Sequence, residues 1–361
     1  MRSESRIAFV IDSLPSVGGG EKVLFTALEL YPRADIFTLV YNKEVFAQTP
    51  IANKQVQTSF INALPLAHKQ HRLFLPLMPT AIERFNLCNY DTIVCFSYAV
   101  AHGVLNHNGT RHVSYTYTPM RYAWTDININ GTHTRKNPII DSFMKSFRAW
   151  DKKAASRVHA FAAISQAISQ RIADAYERAA PIIYPPVDVE RYHPNKQREN
   201  FYVTVSRLVP HKRLDIIVQA FAKLNLPLLV IGEGHELARL QAMAAPNIKF
   251  LGYESDERVA ELLGKARGFV CAAEEDFGIA IVEAQAAGCP VIAYGSGGAL
   301  ETVMDGVTGL FFPEQSVESL IEAVSRFESM MSNFDTNIIA QNAQKFSKAR
   351  FKDEFQSFVK G

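Results

Sequence analysis

The chain has 361 residues, enough for two domains with separate cores. Apolar residues make up 48% and charged residues 20%, the balance of a soluble globular protein, which excludes a fibrous or low-complexity chain. A net charge of +2 gives no argument for nucleic acid, and no run approaches the roughly 20 apolar residues that span a bilayer.

In chain order, RIAFVIDSL (6–14) reads as a buried strand, PSVGGG as a loop, and EKVLFTALELYP as an amphipathic helix. Further strands are expected at DIFTLV (35–40), DTIVCFS (91–97), RHVSYTY (111–117) and VHAFAAIS (158–165). Short apolar runs alternating with helices imply parallel sheets covered on both faces. YPPVDVERYHPNKQREN (184–200) reads as a linker, because prolines give way to a polar stretch. After it the rhythm restarts. Strands FYVTVSRL, PLLVIGEG, IKFLG, GFVCAA and PVIAY alternate with helices LDIIVQAFAKL, ELARLQAMA, DERVAELLGKA and GIAIVEAQAAG, and GGALETVMDG, TGLFF and the helix SVESLIEAVSRFESM follow. The expectation is a second doubly wound domain, with ligands bound beyond the carboxyl ends of the strands. No repeat of 20–50 residues is visible. Four cysteines, Cys88, Cys95, Cys271 and Cys289, lack metal-ligand spacing and lie in or beside apolar runs, which suits buried free thiols in a reducing cytosol. The first apolar stretch is short and ends in a glycine loop, so it does not read as a signal peptide. A cytoplasmic location is the default expectation.

Several loops that follow strands carry chemistry. VGGG (17–20) precedes a helix; it is an incomplete dinucleotide fingerprint and reads equally as a plain turn, yet its glycines would let backbone amides approach an anion. SRLVPHKR (206–213) sets Arg207 and Lys212 around a short turn, either as a solvated basic turn or as a cation pair for a diphosphate. IGEGHE (231–236) and YGSGGALE (294–301) are two more strand-to-helix glycine turns. EEDFGIAIVEAQAAGCPVI (274–292) is the most informative stretch. Glu275 precedes the Phe277-Gly278 turn, whose amides at Gly278 and Ile279 would be free. Glu283 lies inside the following helix on an Ala/Ile-rich face, where a carboxylate needs hydrogen-bond donors such as sugar hydroxyls.

The block EEDFGIAIVEAQAAGCPVIAYGSGGALETVMDGVTGLFF resembles the signature of retaining glycosyltransferases of family 4, which have the GT-B fold. YPPVDVERY, SRLVPHKR, IGEGHEL and the N-terminal glycine loop match the same family in order and spacing. YTPMRYAW (117–124) and FRAWDKKAASRVHAFAAIS (147–165) resemble a mannosyltransferase-like branch. The resemblance implies an α/β fold of two Rossmann-like domains facing across a cleft. The acceptor-side domain is expected over 1–187 and the nucleotide-sugar domain over 188–340, with a C-terminal helix over 341–361 returning to the first domain.

The same resemblance implies the site. Glu275 meets hydroxyls of the donor sugar and Glu283 meets the ribose. Arg207 and Lys212 neutralise the diphosphate, and Gly19 and Gly20 lie beside it. Relatives commonly read Tyr-Cys-His-Thr-Pro where this chain reads Tyr115-Thr116-Tyr117-Thr118-Pro119. Tyr117 therefore stands in place of a histidine and is expected to position the donor through a neutral hydroxyl. The expected catalytic set is Arg207, Lys212, Glu275 and Tyr117. The expected donor-binding set is Gly19, Gly20, Gly232, Phe277, Gly278, Ile279 and Glu283. No metal-binding residues and no cofactor are expected, the nucleotide-diphosphate sugar being a substrate.

The implied activity is transfer of a hexose, with mannose from GDP-mannose foremost, to a saccharide or lipid-linked saccharide. A UDP-sugar-dependent glucosyl or N-acetylglucosaminyl transferase, a nucleotide-sugar epimerase of the same fold, and a non-catalytic sugar-nucleotide-binding protein are alternatives. A glycoside hydrolase would also use paired carboxylates, but it would leave Arg207, Lys212 and the glycine turns idle. PLAHKQHRLFLPLMP (65–79) mixes bases with Leu and Phe. It reads either as a core helix with a solvated face or as a surface for anionic lipid, which would make the protein peripheral on the inner face of the cell membrane. No nucleic-acid partner is expected.

Overall fold

The structure, a computed structural model, describes residues 5–107, 109–124 and 138–361. It divides into two compact units, Met1–Tyr184 with Phe351–Gly361, and Pro185–Arg350.

The first unit is built on a six-stranded sheet in the order β3-β2-β1-β4-β5-β6. Its strands are β1 (Ile7–Ile11), β2 (Asp35–Thr38), β3 (Val56–Thr58), β4 (Thr92–Ser97), β5 (Arg111–Thr116) and β6 (Ala160–Ala163). All neighbours pair in parallel. β4 is buried along its whole length, as a central parallel strand with helices on both faces must be. The edge strand β3 was not expected: it has three residues, two of them exposed and polar, and so carries no apolar run. The helix Lys348–Lys360 closes this unit through its residues from Phe351 onward. Phe355 stacks on Phe96 with ring centres 5.8 Å apart, and Arg111 donates to the carbonyls of Phe358 and Val359.

The second unit repeats the plan with the order β12-β11-β10-β7-β8-β9, again parallel throughout. Its strands are β7 (Tyr202–Val205), β8 (Leu228–Ile231), β9 (Ile248–Gly252), β10 (Gly268–Cys271), β11 (Val291–Tyr294) and β12 (Gly309–Phe312). The helix Leu214–Leu224 has the bounds expected from LDIIVQAFAKL, since its apolar positions recur at helical spacing and six of its residues are buried.

The division differs from the sequence reading at the C-terminal end. The helix Thr336–Ala343 stays with the second unit because Asn342 donates from Nδ2 to Gln285 Oε1 (2.8 Å) and to the Thr302 carbonyl (2.9 Å), all three residues buried. Only the chain from Phe351 returns to the first unit, ten residues later than position 341.

In both sheets the strand order reverses at one point, between β1 and β4 and between β10 and β7. Loops leaving adjacent strands diverge there, which leaves room for a ligand.

Candidate functional site

In the first unit, the reversal point is organised by a residue that the sequence reading missed. Asp12 follows β1 and is almost wholly buried. Its Oδ2 accepts from the amides of Tyr98 (2.6 Å) and Ala99 (3.0 Å), and its Oδ1 from those of Val100 (2.5 Å) and Ala101 (2.7 Å). One carboxylate thus satisfies four donors of the loop after β4. Burial pushes the Asp12 pKa up, and the four amides pull it back. No local pattern announces Asp12, because its partners lie 86 to 89 residues away.

The glycine loop leads into the helix Gly19–Leu30, where Glu21 Oε2 accepts from the Gly18 amide (2.8 Å). Tyr117, at the end of β5, reaches this turn and donates its hydroxyl to the Gly20 carbonyl (2.8 Å). A Cβ at Gly20 would lie 3.5 Å from the Tyr117 ring. Gly19, Gly20 and Tyr117 therefore come together, with the Tyr117 hydroxyl committed to the loop backbone. Burial raises its pKa well above 10, with the neighbouring Tyr115 and the carboxylates of Glu21 and Asp12 adding to the shift.

In the second unit, the loops after β7 and β10 flank the reversal point. Lys212 Nζ bridges both oxygens of Glu275 at 2.6 and 2.7 Å, each side chain about one-fifth exposed (19% and 20%). Arg207 is exposed and makes no side-chain hydrogen bond or ion pair among the described residues. The sequence reading gave Lys212 and Glu275 separate ligand groups; the structure pairs them with each other.

Glu275 is held from behind by its own backbone. Its carbonyl accepts from the Gly298 amide (2.7 Å), and a Cβ at Gly297 would come within 2.4 Å of the same oxygen. A Cβ at Gly298 would lie 2.3 Å from Phe277 Cα, so only glycine lets the two loops touch. Gly278 takes φ +91°, left-handed, and opens the helix Ile279–Ala286. The Gly278 and Ile279 amides make no hydrogen bond to another described residue, as expected of a first turn.

Two residues of the expected donor-binding set also have structural duties. The Phe277 ring is buried against Phe346, ring centres 5.4 Å apart, so Phe277 can offer a ligand only its backbone. At Gly232 a Cβ would meet the Ser206 carbonyl oxygen at 2.0 Å; this glycine is required first by contact with the loop that carries Arg207.

Glu283 is half-buried and lies beside Tyr192, whose hydroxyl pKa rises through burial and then through the Glu283 charge. Tyr192, in the linker motif YPPVDVERY, had no assigned role in the sequence reading. Near Glu275, burial and the Glu275 charge push the Cys271 thiol up to about 12, which keeps it protonated and unreactive.

The segment 65–79 is broken into the helix Ala67–Gln70, a 3-10 stretch His71–Leu77 and the start of the helix Met78–Glu83, rather than forming one core helix. Ala67, Leu75 and Met78 face the core, while Leu66, Leu73 and Leu77 are 58%, 63% and 41% exposed. His68, Lys69 and Arg72 are exposed among them, and Arg84 lies over the exposed Phe60 ring at 5.4 Å. His71 is lowered to about 4 by burial and by Arg72, so it carries no charge at neutral pH. Among the described residues no helix is long and apolar enough to cross a membrane.

The second unit is similar to a known family. Residues 188–346 match the family model described as Glycosyl transferases group 1. The GDP-mannose-dependent alpha-(1-6)-phosphatidylinositol monomannoside mannosyltransferase of Mycobacterium tuberculosis is 32% identical over 194 residues, covering 45% of this chain and 50% of the relative. An uncharacterized glycosyltransferase of Methanocaldococcus jannaschii is 28% identical over 190 residues, covering 51% of this chain and 53% of the relative. The matched stretch spans about half the length of these curated relatives. Among solved structures, sucrose-phosphate synthase from Thermosynechococcus elongatus superposes with a TM-score of 0.77 at 16% identity, covering 99% of this chain and 98% of that one. Anabaena HepE in complex with UDP and glucose gives 0.71 at 19% identity, covering 99% and 100%. These likenesses establish the fold, an α/β GT-B fold of two parallel six-stranded sheets with flanking helices.

Proposed function

We propose that the protein is a retaining glycosyltransferase that takes a hexose from a nucleoside diphosphate sugar. The observation that carries this reading is the Lys212–Glu275 pair beside the open Arg207 and the unengaged amides of Gly278 and Ile279. A diphosphate entering between these groups competes with Glu275 for Lys212. Moving the ammonium to the phosphates frees the carboxylate to accept from sugar hydroxyls, so one exchange prepares both contacts. Glu283, with Tyr192 behind it, receives the ribose. As the bond from the sugar carbon to the phosphate oxygen breaks, its electron pair passes to that oxygen. Arg207, Lys212 and the helix amides stabilise the growing charge. The acceptor hydroxyl attacks from the same face and gives its proton to the departing phosphate. Positive charge comes from side chains and backbone, so no resident metal or cofactor is required and turnover should persist in excess EDTA.

GDP-mannose is the favoured donor, supported by the mannosyltransferase relatives at 32% identity; a UDP-sugar is the alternative. The acceptor is a saccharide, favoured as lipid-linked because of the surface at 65–79. There exposed leucines alternate with Lys69 and Arg72 and could insert among anionic headgroups. No nucleic-acid partner and a cytoplasmic, membrane-peripheral location belong to this reading. Two measurements test it. A panel of nucleotide sugars read by thermal shift should show GDP-mannose raising Tm more than mannose alone; no shift with any nucleotide sugar would remove the donor-site assignment. Vesicles rich in phosphatidylglycerol should sediment the wild type but not Lys69→Glu/Arg72→Glu, with the difference shrinking in high salt. Equal sedimentation of the two would remove the lipid surface.

A further inference from the structure

The two motifs that set this chain apart in its first unit, YTPMRYAW (117–124) and FRAWDKKAASRVHAFAAIS (147–165), meet at one buried carboxylate. Asp151, in the helix Pro138–Ala155, is fully buried, and its Oδ2 accepts from Trp124 Nε1 (2.7 Å) and from the Tyr176 hydroxyl (2.9 Å). Its Oδ1 lies 3.0 Å from His102 Nε2, and His102 Nδ1 lies 3.0 Å from Ser97 Oγ. A Ser–His–Asp chain invites reading as a nucleophilic triad. Ser97 and His102 are each only 1% exposed and Asp151 0%, so no substrate can reach the hydroxyl.

The connections run instead toward the glycine loop. Ser97 and His102 bracket the loop whose four amides Asp12 holds. Trp124 ends the segment that begins at Tyr117, and Tyr117 donates to Gly20 in the glycine loop. Arg148, from the helix that carries Asp151, donates to the Ala123 carbonyl (2.8 Å), and Met120 and Ala123 are buried in the core. The segment 117–124 is thus pinned at one end to the glycine turn and at the other to Asp151.

We propose that Asp151 is a positioning residue: through Trp124 it sets the segment 117–124, and through Tyr117 it sets the glycine loop, which the family resemblance implies lies beside the leaving diphosphate. This rests on the glycosyl-transfer reading. A buried carboxylate held by donors from two elements cannot shift without losing them, so its position is fixed and is passed to whatever hangs from it.

Two variants separate positioning from packing, because each removes one donor from the same oxygen. Trp124→Phe keeps a ring but loses the bond to the 117–124 segment. Tyr176→Phe loses an equally buried bond from the helix Gln166–Tyr176, which carries no part of the site. The inference expects Trp124→Phe to lower kcat about tenfold, with nucleoside diphosphate Kd unchanged, and Tyr176→Phe to stay within about twofold of wild type. Hydrogen exchange supplies a readout independent of turnover: amides 18–21 and 117–121 should exchange faster in Trp124→Phe and not in Tyr176→Phe. Equal effects of the two variants on exchange would overturn the inference. A wild type that transfers no sugar while showing the expected exchange pattern would overturn the glycosyl-transfer reading and leave the Asp151 link supported.

Discussion

Lys212 Nζ sits within 2.7 Å of both carboxylate oxygens of Glu275, bridging the loops after β7 and β10. An ion pair that is about one-fifth exposed is screened only in part, so breaking it needs a replacement anion of comparable strength. A diphosphate is such an anion. Glu275→Gln removes the competitor and should tighten binding of free nucleoside diphosphate by about three- to tenfold, while transfer falls by about a hundredfold. Calorimetry and initial rates on the same preparation check both. Weaker diphosphate binding in Glu275→Gln would mean that the pair organises Lys212 rather than competing for it.

Among the described residues Arg207 has no side-chain partner to give up, so it can meet charge that develops on the leaving group. Arg207→Ala should lower kcat by about two to three orders of magnitude, and Lys212→Ala by a similar amount. Arg207→Lys should recover only part, because a point charge does not replace a planar fork. Near wild-type kcat in both alanine variants would remove the diphosphate from this corner of the sheet.

At the other end of the donor, the charge of Glu283 faces the Tyr192 hydroxyl and helps to raise its pKa. Glu283→Ala should weaken free nucleoside diphosphate by about ten- to a hundredfold, the range of a lost hydrogen bond to a charged group. Tyr192→Phe should weaken it less, since the carboxylate remains. Unchanged affinity in Glu283→Ala, measured by calorimetry, would contradict the ribose contact.

The Tyr117 hydroxyl is spent on the Gly20 carbonyl, so its role is to hold the loop, and its raised pKa keeps it protonated across the physiological range. Tyr117→Phe should lower kcat/KM about fivefold, the worth of one neutral hydrogen bond. Because the folded pKa lies above the unfolded value of 10, the unfolded chain ionises first as pH rises. The stability tied to Tyr117 is therefore complete below pH 10 and declines above it. Denaturant midpoints between pH 8 and 11 should fall less in Tyr117→Phe than in the wild type. An identical fall in both would show that Tyr117 is not the group responsible.

Much of this arrangement was legible in the chain because it is local. The strand β10, the Phe277-Gly278 turn and the helix after it follow one another without a break, so apolar run, glycine and helical spacing are read together. Asp12 was not legible: it is one aspartate at a strand end, and only folding brings its four amides to it. Trp124 and Asp151 sat in motifs noticed separately, and nothing in their spacing shows that they bond. Lys212 and Glu275, 63 residues apart, were each given to a ligand because pairing between distant loops leaves no trace in sequence. β3 escaped for a different reason: an edge strand needs no apolar run when one neighbour supplies its ladder.

The most direct test of the central claim follows the fate of the donor. Wild-type protein is incubated with labelled GDP-mannose, and in parallel UDP-glucose, together with a lipid extract, and products are separated by charge and solubility. The account predicts label in the lipid-linked saccharide fraction with free nucleoside diphosphate released in equal amount, and loss of both in Lys212→Ala. Donor recovered as a different nucleotide sugar, label released only as free hexose, or donor bound and returned unchanged would each contradict it.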